Sequence, residues 1–184
     1  VSQRFQAGFS RALCPGAGAA LAGGEREVPM PQVPPTAELT VDTSRGLTLS
    51  VLQECVDSAP AGALVRIPVG EWSSDGSSGG LLIKSAITLQ GGGCDTEGDT
   101  VLNFSVTVDP SVEGKLLKLS HFTVKDAQMK IAGKMIDFVW LEELETSLDP
   151  LKGDDALVLN TTSTNYASKI LVEGCEVVGG GDGV

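Results

Sequence analysis

Leu81-Leu82-Ile83-Lys84-Ser85-Ala86-Ile87-Thr88-Leu89-Gln90-Gly91-Gly92-Gly93 sets a plan that returns twice in looser form. Leu116-Leu117-Lys118-Leu119-Ser120-His121-Phe122-Thr123-Val124 runs on into Lys125-Asp126-Ala127-Gln128. Ile170-Leu171-Val172-Glu173-Gly174-Cys175-Glu176-Val177-Val178 runs into the Gly-rich string Gly179-Gly180-Gly181-Asp182-Gly183. Each carries an apolar strand, a small residue near its middle (Ser85, Ser120, Gly174), a second apolar stretch and a turn. Units of this strand–kink–strand kind suit a coil stacked on copies of itself. Their spacing is irregular, so the repeat is loose.

Further apolar segments lie between and before them: 64–69, 101–108, 135–144 and 156–159. Turns at Asp109-Pro110, Gly133, Asp149-Pro150 and Gly153 punctuate them. No long segment of helical period separates these strands, which argues against crossover helices. Upstream, Glu38-Leu39-Thr40-Val41 reads as a short strand. Leu49, Leu52, Val56 and Ala59 then recur at helical spacing, so an amphipathic helix is expected over 48–58. Pro60 and Gly62 stop it. Residues 1–37 read as a flexible leader: Gly and Ala dominate 16–24, and Pro29, Pro31, Pro34 and Pro35 favour extended, unladdered backbone. Residues 38–184 form the expected domain.

Composition supports many short strands. Gly accounts for 23 of 184 residues, against a usual ~7%. Aromatics make up only 4%, while 41% of the chain is hydrophobic, enough for a core. The formal charge is −11. That charge argues against nucleic acid, which calls for a basic stripe, and against anionic membrane surfaces; neither is expected as a partner. A polyuronate would be repelled unless a cation or a local basic cleft intervened. No apolar run approaches ~18 residues, so no membrane span is expected.

Cys14, Cys55, Cys94 and Cys175 are widely spaced, with no Cys-x-x-Cys and a single histidine, His121. A structural zinc site is disfavoured and buried free thiols are the simpler reading, although four cysteines leave three pairings open. Asn103-Phe-Ser105 and Asn160-Thr-Thr162 are candidate glycosylation sites if the chain is secreted; an extracellular or secretory setting is favoured only on that account. Asp95, Glu97 and Asp99 lack the distal Glu of a calcium loop and read as a solvated turn. Ser120 and His121 are strand neighbours that should face opposite sides. Glu142, Glu143 and Glu145 read as a solvated face, and Trp72 and Trp140 as packing residues. No metal or other cofactor is expected.

The segment from Leu49 to Phe104 carries a resemblance. A helix ending in Asp57-Ser58-Ala59-Pro60 leads to Val65-Arg66-Ile67-Pro68-Val69-Gly70-Glu71-Trp72. Leu82 to Gly93 follows, then Thr100-Val101-Leu102. This resembles the N-terminal part of the pectin-lyase-like superfamily, and over 38–184 it implies an all-β, right-handed parallel β-helix capped by a short amphipathic helix. No C-terminal cap is visible, so the chain reads as the front of a longer protein, or as one that self-associates through an uncapped last coil.

The last third is similar to polygalacturonase-type glycoside hydrolases. Gly153-Asp154-Asp155-Ala156 matches their Asp-Asp pair entering a strand, and Asp182 in Gly181-Asp182-Gly183 stands where that family has His. Their upstream Asn-Thr-Asp-Gly has no counterpart in Lys134-Met135-Ile136-Asp137-Phe138. By that resemblance Asp154, Asp155 and Asp182 are the candidate catalytic residues. The chemistry is coherent. Hydrolysis of a glycosidic bond needs an acid and a carboxylate, roughly 6.5–9.5 Å apart in an inverting site. Neighbouring strands lie ~4.8 Å apart. Asp-Asp and Gly-Asp-Gly are also ordinary turn sequences. The expected function is therefore binding or cleavage of an extended polysaccharide; a non-catalytic scaffold or adhesion domain, or an inactive front fragment, is the alternative.

Overall fold

The computed structural model describes residues 31–76, 79–93, 98–132, 135–148, 155–159 and 169–178. In chain order they form β1 (Glu38–Thr40), a 3-10 turn (Thr43–Arg45), α1 (Leu49–Ser58), β2 (Leu64–Arg66), β3 (Gly70–Trp72), β4 (Leu81–Ile83), β5 (Thr88–Gln90) and β6 (Thr100–Leu102). Then come β7 (Val106–Val108), β8 (Glu113–Lys125), β9 (Met129–Ile131), β10 (Met135–Ser147), β11 (Leu157–Leu159), β12 (Lys169–Glu173) and β13 (Glu176–Val178).

Two sheets result. The larger, nine-stranded sheet runs β1-β2-β5-β8-β10-β12, with β13 also on β10 and β6 bridging β3 and β8. The smaller, four-stranded sheet runs β11-β9-β7-β4. The paired strands are parallel. Parallel neighbours need a crossover, and here a strand of the opposite sheet supplies it: from β4 onward the chain passes back and forth between the two sheets.

The inward positions stack in register. Val65, Leu89, Leu119, Leu141 and Val172 form one column. Across from it stand Leu81, Val106, Met129 and Leu157, with Ile83, Val108 and Ile131 one step along. All belong to, or pack against, one apolar cluster. Each fully buried Leu or Ile contributes ~1.5–3 kcal/mol of transfer free energy, so the columns hold the sheets together.

The kink suggested by the sequence exists at Gly174, but in β8 and β10 it sits on residues the sequence did not single out. His121 (φ +59°), Glu143 (φ +47°) and Gly174 (φ +64°) share the left-handed region, and the flanking pairs Ser120–Glu142–Glu173 put them side by side. Ser120 precedes the kink. A left-handed non-glycine residue costs ~1–3 kcal/mol, tolerated only where its surroundings fix it. Next to this column the Gly91 N–H donates to the Ser120 carbonyl at 2.9 Å. A Cβ on Gly91 would collide with the His121 carbonyl oxygen, so the close approach requires glycine.

The helix begins one residue later than the spacing suggests and ends at Ser58. Leu49, Val51, Leu52 and Val56 are buried within the same apolar cluster as the sheets. Strand β4 ends the smaller sheet, and α1 meets it there. The Gln53 amide donates to the Leu82 carbonyl at 2.9 Å and accepts from the Leu82 N–H at 2.8 Å. A side chain thus does what a further strand would do, blunting an edge that otherwise invites aggregation.

These findings overturn the all-β, right-handed parallel β-helix expectation. About half of the described residues are strand and about a tenth helical, in parallel sheets with no closed barrel. The class is mixed because α1 is not an appendage: four of its ten residues are buried, in the core that the sheets share. The sequence signal was one of stacking, and stacking of parallel strands does not by itself specify how the sheets close.

Candidate functional site

Of the three candidate aspartates, Asp154 and Asp182 lie outside the described residues, as does Asn160. Asp155 is half-buried just before β11, and its backbone carbonyl accepts from the Gln128 side-chain amide at 2.9 Å. That contact ties the start of β11 to the turn before β9. It uses no carboxylate. Asn103 is exposed, at the bend between β6 and β7, and its N–H donates to the Trp72 carbonyl at 2.9 Å.

The richest polar chemistry lies on the outer face of the larger sheet. Side chains alternate along a strand, so with Val65, Leu89, Leu119 and Leu141 turned inward, their neighbours turn outward. One outward row, read across the strands, is Arg66, Gln90, Ser120, Glu142 and Glu173. The next is Thr88, Lys118, Trp140 and Leu171. At one end Arg66 Nε donates to Glu38 Oε1 at 2.6 Å, and Arg66 Nη1 donates to Gln90 Oε1 at 2.9 Å.

The centre of the face is denser. Lys118 Nζ lies 2.6 Å from Glu142 Oε2 and 3.5 Å from the centroid of the Trp140 ring. His121 Nδ1 lies 2.7 Å from Glu143 Oε2, and its Nε2 is 3.6 Å from Glu142 Oε2. The Lys118 and Glu142 side chains are 19% and 22% exposed, so this pair is better shielded than the usual surface ion pair worth ~0–1 kcal/mol. Beneath it, Ser120 Oγ and Trp140 Nε1 are buried and make no hydrogen bond. A buried polar atom left unpaired costs ~1–3 kcal/mol. Two of them on the adjacent strands β8 and β10 single this patch out.

Several sequence expectations are corrected here. Glu142 and Glu143 do not form a merely solvated face, because Glu142 pairs with Lys118 and Glu143 meets His121. Ser120 and His121 are not simple strand neighbours, since the left-handed His121 breaks the alternation. Trp72 packs the core as expected, fully buried and with its Nε1 donating to the Pro68 carbonyl at 3.1 Å, whereas Trp140 belongs to the outer face. Strand alternation in Lys118-Leu119-Ser120 and Trp140-Leu141-Glu142 already placed each pair on one face. The register that joins the two pairs could not be read from either strand.

Among the described residues no group of three or more His, Cys, Asp or Glu side chains could hold a metal ion. Asp95 and Glu97 lie outside them, as do Cys14 and Cys94. Cys55 and Cys175 are free thiols. Burial pushes the Cys175 thiol up, against hydrogen bonds to Leu144 and Glu173 that pull it down; it is a poor nucleophile at neutral pH. No described helix is long and apolar enough to cross a membrane. No protein-family model matches this chain, and neither a curated relative nor a solved structure matches it.

Proposed function

We propose that the outer face of the larger sheet binds an extended polysaccharide laid across its strands. The observation that carries this reading is the row Arg66, Gln90, Glu142 and Glu173, exposed or half-buried hydrogen-bonding side chains on β2, β5, β10 and β12, with the buried Ser120 of β8 between them. Strands repeat every ~4.8 Å, a periodic array of donors and acceptors suited to a ligand that itself repeats hydroxyl groups along its length. In the neighbouring row stands Trp140, with Lys118 Nζ 3.5 Å from the centroid of its ring. The ion pairs and the parallel register hold these groups before any ligand arrives, which lowers the ordering cost of binding.

Calorimetric titration with neutral β-glucan oligosaccharides and with polygalacturonate tests the reading. Neutral oligomers should bind and the polyanion should not, given the charge of −11. Gln90→Ala should weaken binding about fivefold, the loss of one hydrogen bond of ~1 kcal/mol. Reducing ends that appear on incubation and vanish in Asp155→Asn would extend the reading to cleavage. Failure of every oligomer to bind the folded protein would replace it with the scaffold alternative.

A further inference from the structure

The Lys118 ammonium occupies a site with the features of an ammonium receptor. An aromatic face lies 3.5 Å from it and a carboxylate oxygen 2.6 Å from it. Ser120, fully buried and with its Oγ unpartnered, stands in the row directly beside Glu142. Trp140 Nε1, also buried and unpartnered, is a donor with nothing to donate to. A cation over an indole ring is held by the ring's negative face, most strongly where water is excluded. The carboxylate adds charge, and the hydroxyl and indole N–H add directional bonds. Glu143 and Glu173 extend the negative field around this point; Lys118 is the cation that faces it, and the His121 imidazole lies against Glu142 and Glu143.

We infer that this subsite receives a sugar residue carrying a free, protonated amine, and that Lys118 is a tethered competitor for the same place. The inference rests on the polysaccharide reading of the row. A hexosamine ammonium would displace Lys118 Nζ from Trp140 and Glu142, and ring hydroxyls would pair with Ser120 Oγ and Trp140 Nε1. The two unpartnered atoms then become part of the binding energy. A neutral or N-acetylated sugar cannot replace the ammonium and would leave Lys118 seated.

The experiment titrates the full chain with a deacetylated β-linked glucosamine oligomer and with its N-acetylated counterpart. Wild type, Lys118→Met and Glu142→Gln are compared at mildly acidic pH, with circular dichroism to confirm folding. Lys118→Met keeps the stem of the side chain and removes the competitor, so the free-amine oligomer should bind at least tenfold more tightly than to wild type. Glu142→Gln should lose the preference for the free amine. Equal binding of the two oligomers, with no gain in Lys118→Met, overturns the amine subsite and leaves the polysaccharide face standing. Should Lys118→Met not fold, a preference for the free amine that survives Glu142→Gln overturns it equally. If neither these oligomers nor the neutral β-glucans bind the folded wild type, both readings fall.

Discussion

At the α1 end of the molecule, an edge that a sheet ordinarily leaves open is closed by side chains. Gln53 satisfies both backbone groups of Leu82. Around the groove of about 730 Å³ beside the helix, Glu54 pairs with Arg45, and Asp57 lies 3.0 Å from Lys84. On the outer face of β8 and β10 the order is reversed. Charged groups meet one another at the surface while Ser120 Oγ and Trp140 Nε1 stay unpaired below them. Both regions are strand surfaces of the same fold. The first has its polar groups matched internally, as a stabilising contact requires. The second leaves two buried polar atoms without partners, the feature on which the proposed ligand site rests.

The contrast breaks first, and most heavily, at Gln53. Gln53→Leu should leave the Leu82 N–H and carbonyl without partners, at ~1–3 kcal/mol for each group that stays dry. Urea denaturation should show a loss of about 2 kcal/mol or more, and light scattering should show self-association through the uncovered edge. A stability close to wild type would mean that water serves the edge as well as Gln53 does.

Thr146 sharpens the comparison from within the core. It is 2% exposed and its Oγ1 has no partner, although it lies in a column with Val124 and Val177. Thr146→Val removes the hydroxyl without changing the shape, so stability should rise by about 1 kcal/mol with glycan binding unchanged. Ser120→Ala should raise stability by a similar or smaller amount, ~0.5–1 kcal/mol, while weakening binding. The two variants together separate an unpaired hydroxyl that only costs stability from one that serves a ligand. Equal effects on binding would erase the distinction.

The smallest effect is expected at a turn where everything is matched. Hydrogen bonds from the Ser111 hydroxyl and N–H hold the Asp109 carboxyl below the usual carboxylate range. Because the folded value lies below the unfolded one, the stabilisation is present above the unfolded pKa and is lost as pH falls through the folded one. Asp109→Asn should therefore be less stable than wild type at neutral pH, with the gap closing below about pH 4. Denaturation curves across that range check the sign; a gap that widens in acid would contradict it.

The α1 helix was legible because Leu49, Leu52 and Val56 repeat at its period. The apolar segments 116–124 and 135–144 were legible as strand, but not as β8 and β10, each 13 residues long. The kink was legible at Gly174, which does adopt left-handed backbone; on β8 and β10 it falls on His121 and Glu143, whose types do not announce that conformation. The candidate aspartates came from a local likeness, and the one that is described, Asp155, offers its backbone to a turn contact.

What the sequence by itself determined was the inventory: which segments extend, which one coils, and which face of each strand is apolar. Local propensity and period decide those, and they act within a few residues. Only the tertiary structure decided that Lys118 and Ser120 stand beside Trp140 and Glu142, and that α1 enters the shared core. Parallel register depends on which strands the chain brings together after a crossover, and a long-range pairing of that kind leaves no mark in either strand alone.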